Sequence, residues 1–227
     1  MERSVMRGLQ SLRSRMSSDS GFTLLELIVA VLVFSIFTGM ILATVIALAK
    51  GATRAQVVSE STAGVLVVFG QLDRQARYAD SINYPGVGAG SDSRYIEFRT
   101  PGSSLQSGVP LCTQWRFTPS LGRIEQRQWN DLVGSVKTPW TTKLNYVIDQ
   151  GGVDYPFGMS PAGVAVGSAQ QQLVVRIKAG NDALNSGAEI TTTYVARNSS
   201  FNSQSNSDTS GDKVSVTPVC LQTGDRP

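Results

Sequence analysis

Apolar and polar residues follow three patterns along this chain. From Leu27 to Ala49 there are 23 consecutive residues without a formal charge, fourteen of them Leu, Ile, Val or Phe. As a helix such a run is about 35 Å long, enough to cross a bilayer with some tilt. On an insertion scale those fourteen side chains favour the membrane by about 4–8 kcal/mol, against about 3 kcal/mol or less for Glu26 at the mouth of the run. Beyond Lys50 the pattern becomes one-sided. Val58, Val65, Phe69, Leu72, Ala76 and Ala79 recur at helical spacings, while Gln56, Ser59, Glu60, Gln71, Asp73 and Arg77 fill the other faces. With no proline between Phe22 and Tyr84, the pattern predicts one helix over about 23–80, roughly 85 Å long. Its first half is apolar all round; its second half is expected to pack on a head domain. It should end near Ser81–Asn83, because Pro85 disfavours a helical Tyr84. Gly39 either loosens the membrane half or marks a close helix contact.

After Pro85 the period shortens to two. A turn-rich loop over 85–92 precedes alternating segments at Tyr95–Arg99, Gln114–Thr118, Gly122–Trp129, Asn145–Asp149, Leu173–Ala179 and Ala188–Ala196. Pro119 to Gly122 reads as a hairpin link between the second and third of these. Gly, Ser, Asn and Pro fill the connections, and no internal repeat is evident. The expected fold class is α+β, with a long N-terminal helix packed on a strand-rich C-terminal head. The Ser/Asn-rich stretch from Ser199 to Lys213 reads as a mobile low-complexity loop.

Charge and composition narrow the chemistry. The chain of 227 residues contains no histidine, which removes the commonest general base, metal ligand and neutral-pH switch. Its formal charge is +3. Arg3, Arg7, Arg13 and Arg15, set against Glu2 and Asp19, carry two of those charges ahead of the apolar run. The remainder is near neutral, which argues against a broad electrostatic binder of nucleic acid. Four arginines before the run, with Lys50 and Arg54 behind it, place the N-terminus in the cytoplasm and the head outside.

Gly21-Phe22-Thr23-Leu24-Leu25-Glu26, followed by the apolar helix, resembles the processing site of type IV prepilins and type II secretion pseudopilins. The resemblance implies that a prepilin peptidase cuts after Gly21 and then methylates the new N-terminus, Phe22. It places the family's signature glutamate, fifth in the mature chain, on Glu26. In that family the glutamate serves subunit docking, as the partner of a neighbour's N-terminal amine; the plainer alternative is a glutamate that snorkels to the interface. The implied organisation is a basic leader over 1–21, a transmembrane and filament-core helix over 22–49, its amphipathic continuation over 50–82, and a β-rich head over 83–227. The implied partners are the peptidase, other major and minor pilins or pseudopilins, a membrane assembly platform and the cytoplasmic membrane. The destination is the inner membrane and then an extracellular or periplasmic filament. An uncut single-pass anchor is the blander alternative. Gln71 to Arg77, Tyr95 to Phe98, the Trp115-Arg116-Phe117 strand and Thr193 to Asn198 resemble J-type minor pseudopilins and W-type minor pilins. That likeness implies a subunit that primes filament growth or sits at the tip; an exposed adhesive or ligand-binding minor pilin is the alternative.

Few residues suggest other chemistry. Cys112 and Cys220 are the only cysteines. Outside the membrane a single pair reads as a disulfide, with two buried thiols as the alternative. Trp115, Trp129 and Trp140 share an interval with Arg116, Arg123, Arg127, Lys137 and Lys143, a combination that suits single-stranded DNA if the rings are exposed. Strand tryptophans are more often core residues, so nucleic acid is not an expected partner. Asp208 and Asp212 lack the full ligand pattern of a calcium loop, and no metal or cofactor is expected. Without histidine an ordinary Ser-His-Asp triad is excluded, and no enzymatic activity is expected.

Overall fold

A computed structural model of the chain describes residues 21–88, 92–164, 167–181, 183, 186–208, 214–215 and 217–221. Residues 1–20 of the basic leader and Asp212 lie outside the described residues. The chain divides into two compact units at Ala52 and Thr53, and a single helix, α1 (Leu24–Arg77), contributes to both.

In the first unit every described residue of α1 is exposed. Among the described residues nothing lies within 4 Å of where a Cβ on Gly39 would stand. Two hydroxyls in this stretch are satisfied by the helix itself. Ser35 Oγ donates to the Val31 carbonyl (2.7 Å) and Thr44 Oγ1 to the Met40 carbonyl (2.9 Å), the local bonding that lets such residues sit in an apolar helix.

In the second unit the one-sided pattern becomes a buried stripe. Val65, Val68, Phe69, Leu72 and Ala76 of α1 are buried, as is Ala79 just beyond it, whereas Val58 stays exposed. The stripe joins the inner faces of two antiparallel sheets in one core. The first sheet runs β1 (Ser81–Ile82), β3 (Arg94–Thr100), β4 (Leu111–Thr118), β5 (Arg123–Asn130), β6 (Thr141–Leu144), with β2 (Gly86–Val87) also paired to β3. The second runs β7 (Phe157–Ser160), β8 (Gln172–Asn181), β9 (Ser186–Val195). Period-2 alternation sends Ile96, Phe98, Trp115, Phe117 and Ile124 inward. Trp115 is fully buried because its Nε1–H finds Gln75 Oε1 on α1 at 2.9 Å. On the second sheet Tyr194 plays the same part, donating to the Phe69 carbonyl (3.1 Å). Burial, with the nearby Asp73 charge, pushes its hydroxyl up to about 12.

Three expectations are corrected. First, α1 stops at Arg77, before residue 80, and the stretch to residue 82 is not helical. Sheet pairing takes the backbone there before Pro85 acts: Asp80 N–H donates to the Arg99 carbonyl (2.9 Å), and Ser81 and Ile82 pair with Arg99 and Phe98. Second, Asn145–Asp149 is not a strand. β6 ends at Leu144, and Tyr146 adopts φ 59°. The segment instead joins the two sheets: Val147 N–H donates to the Gly122 carbonyl, Ile148 N–H to that of Lys178, and Gly180 N–H to that of Tyr146. Gly122 must be glycine at this junction. It has φ 57°, and a Cβ would come within 3.1 Å of the Val147 carbonyl oxygen.

Third, the described part of the Ser/Asn-rich stretch is a hydrogen-bonded clasp. Gln171, with no exposed surface, takes the Ile82 N–H on its Oε1 (2.8 Å) and donates from Nε2 to Ser205 Oγ (3.2 Å). Its own N–H donates to Ser199 Oγ (2.8 Å). Ser203 Oγ donates to the Asp80 carbonyl (2.6 Å), and Asn206 bonds both backbone groups of Ala162. The serines and asparagines thus supply the partners that buried backbone groups need.

Gln171→Leu removes both side-chain bonds and strands the buried Ile82 N–H, while Ser205 Oγ keeps its bonds to Ser81 Oγ and the Ile82 carbonyl. With about 1–3 kcal/mol for one orphaned group, the expected loss is about 1–3 kcal/mol in urea unfolding of the full chain in detergent. Gln204→Leu, at an exposed position, should change stability by about 0.5 kcal/mol or less.

Candidate functional site

The geometry at Gly21–Leu27 is that of a capped helix start. Gly21, Phe22 and Thr23 are irregular, and α1 begins at Leu24. Thr23 is the N-cap: its Oγ1 accepts the Glu26 N–H at 3.2 Å, and its carbonyl accepts the first helical bond from Leu27 N–H, also 3.2 Å. One of the orphan donors of a helix start, the Glu26 N–H, is thereby satisfied. Glu26 is then the third helical residue, the acidic position of a capping box. Its negative charge lies against the positive end of the helix dipole. Phe22, 82 % exposed, precedes the cap and stands at the position from which a hydrophobic staple reaches residue 27. Gly21 has nothing within 4 Å of where a Cβ would stand. The Thr-x-x-Glu pattern was available in the sequence and is the signal that identifies Thr23 as part of this site.

The two cysteines form a disulfide, with Cα atoms 6.2 Å apart and a sequence separation of 108. Both are buried beside Trp129 and Val219. Asp131 lies with them and fixes the segment further. Its Oδ1 accepts the Leu221 N–H (2.8 Å) and its Oδ2 accepts Arg99 Nε–H (2.8 Å). Arg99 also reaches Asp80 Oδ2 (2.6 Å). Burial pushes the Asp80 carboxyl above its ordinary range, against the opposing pull of Arg99. Because the sulfurs are bonded to each other, this cluster offers no thiolate to a metal.

The three tryptophans do not share a surface. Trp115 faces α1, Trp129 lies against the disulfide, and only Trp140 is half exposed. The guanidinium carbons of Arg116 and Arg127 stand 4.2 and 4.3 Å from the centre of the Trp140 ring. Arg116 also binds Glu125 (2.7 Å), and Arg127 binds Gln114 (2.8 Å). Ring and cations are thus spent on one another across a sheet face, and the exposed stacking row that single-stranded DNA requires is not assembled. Asp208 borders a cavity of about 770 Å³ with Tyr84, Asp154 and Arg176.

Comparison with family models finds one match, to the prokaryotic N-terminal methylation motif over residues 16–42. Residues 16–20 of that span lie outside the described ones. The match covers the Gly21–Glu26 site and the first part of the apolar helix, and it supports a type IV pilin- or pseudopilin-like protein. Proteins with this motif are structural subunits rather than enzymes. Comparison with curated proteins and with solved structures finds no match. An exposed apolar helix behind such a motif fits membrane anchoring.

Thr23→Ala removes the cap and should cost about 1 kcal/mol locally. Amide exchange at Glu26, followed by NMR of the full chain in micelles, should then speed up about fivefold. Thr23→Ser should restore it.

Proposed function

We propose that this chain is the precursor of a minor pilin or pseudopilin, cut after Gly21 by a prepilin peptidase and methylated at Phe22. Its leader is 1–21, its membrane and filament segment 22–49, and its working domain the head beyond. The observation that carries this reading is the methylation motif standing directly on a capped helix whose first half is apolar on every side. A plain anchor needs the apolar run but neither the motif nor a carboxylate in its first turn. The chemistry is done to the chain. The chain's own work is assembly, in a membrane-extracted filament whose core is built from such helices. The subunit is of the J or W type and acts in priming or at the tip.

Cleavage creates a basic amine at Phe22, one residue ahead of the cap. In a water-poor core an unpaired ammonium or carboxylate costs several kcal/mol. A bond between Glu26 and the amine of a neighbouring Phe22 satisfies both and fixes the axial offset between subunits.

Intact-mass and N-terminal peptide spectra of the protein from its native membrane should give a mature chain beginning with N-methylated Phe22. Gly21→Ala should be cut and Gly21→Leu should accumulate uncut. An unprocessed Met1 chain, in cells holding the peptidase, overturns the reading. Glu26→Ala should insert normally but be missing from filaments, since an amine stripped of its buried partner costs about 3–5 kcal/mol. Incorporation at the wild-type level removes the docking role and leaves the processing pathway untouched.

A further inference from the structure

Tyr146 carries a side chain that the fold does not use. Its backbone is left-handed, with φ 59°, and no other non-glycine residue among the described ones is held that way. A bulky residue is strained in that region, where glycine or asparagine fits at little cost. The conformation is imposed from both sides. The Tyr146 carbonyl accepts the Gly180 N–H (2.9 Å), and the next residue, buried Val147, donates its N–H to the Gly122 carbonyl (2.9 Å). The junction thus needs the backbone of residue 146 and not its ring. The ring is 78 % exposed, and among the described residues its side chain makes no hydrogen bond and no aromatic or cation contact. Strain kept where packing does not call for the side chain points to a ligand.

Tyr146 lines a cleft of about 620 Å³ in the second unit, within the size range of small-molecule sites. α1 contributes Val57, Glu60 and Ser61, β6 and the junction contribute Thr142, Lys143 and Asn145, and the end of β8 contributes Gly180 and Asn181. Glu60 and Lys143 bring one charge of each sign, and among the described residues neither is ion-paired; Glu60 Oε1 accepts only from Gln56 Nε2 (2.8 Å). The lining is therefore neutral overall and offers no field for a polyanion such as nucleic acid. Apart from the ring, its large apolar side chains are Val57 and the buried Leu144, too few to anchor a lipid tail or an apolar peptide. The other polar groups are hydroxyls and amides, which both donate and accept. An exposed aromatic face beside such a rim matches a sugar ring, whose axial C–H groups form an apolar face and whose edge hydroxyls each donate and accept. We infer that this cleft binds a neutral oligosaccharide, with a pyranose ring stacked on Tyr146 and its hydroxyls bonded to Glu60, Lys143 and Asn145. A ring whose backbone is already fixed on both sides loses little freedom on binding, which gives the strained conformation a use.

The test presents the full chain, in a detergent without a sugar headgroup, to an array of neutral and acidic oligosaccharides. Neutral ones should bind, and the strongest is then titrated against variants. Tyr146→Phe should keep the affinity. Tyr146→Gly should weaken it about tenfold, while unfolding at the parent temperature or above, because glycine takes φ 59° without strain. Glu60→Ala, on α1, should weaken it about fivefold, which ties the sugar to the cleft and not to the ring alone. No neutral oligosaccharide bound, binding confined to acidic ones and lost at high salt, or undiminished affinity in Tyr146→Gly or Glu60→Ala would each overturn the proposal. So would a lowered unfolding temperature in Tyr146→Gly, which would make the ring a part of the fold.

Discussion

The surface of α1 between Leu27 and Ala49 cannot be left in water, and the rest of the chain is arranged around where that surface ends. Fourteen large apolar side chains stand exposed there. Past Thr53 the same helix keeps only a stripe, and Val65, Val68, Phe69, Leu72 and Ala76 fill the core. One backbone thus serves two environments without a break, because an α-helix satisfies its own N–H and C=O groups whatever surrounds it. No strand has that property, which is why the sheets are confined to the second unit.

The head is closed by polar contacts as much as by apolar ones. The chain after β9 has few large apolar residues with which to pack, so it is held by specific bonds: Ser199, Ser203, Ser205 and Asn206 to buried backbone and to Gln171, then the disulfide, then Asp131 on Leu221. Such contacts are directional. Each restores a bond that burial would otherwise cost, and together they fix one path for the segment where hydrophobic packing would allow many. Arg99 extends this from β3, holding Asp80 just past the helix and Asp131 beside the disulfide.

Much of this was legible in the residues. Helical periodicity marked the helix and its buried stripe, and strict alternation marked β3, β4, β5, β8 and β9 to within a few residues, because both signals arise from one-sided burial. What was not legible lacks such a period. β1, β2 and β7 are too short to alternate. Tyr146 breaks an alternating segment through a left-handed backbone that its side chain does not announce. The serine-rich clasp looks like a disordered tract by composition, since its value lies in which buried group each hydroxyl meets. The tryptophan and arginine interval is sorted only by the fold. Its residues are adjacent in sequence, but alternation sends Trp115 to one face of the sheet and Arg116 to the other.

At the N-terminus a single carboxylate answers two demands. As the third residue of a helix capped by Thr23, Glu26 would be favoured by the local dipole in any protein. That alone does not account for placing it at the mouth of an apolar run, where a polar uncharged residue would cap nearly as well at lower desolvation cost. A fixed negative charge becomes useful there only when a positive charge arrives. On the proposed reading cleavage releases such a charge, the amine of Phe22, and it arrives from a neighbouring subunit. The dipole lowers the cost of waiting for it: the carboxylate is partly stabilised by its own helix in the membrane, so insertion does not require the partner. On the same reading, assembly exchanges that weak field for a direct ion pair, and the residue that makes the helix start well-defined makes the docked position more stable than the free one.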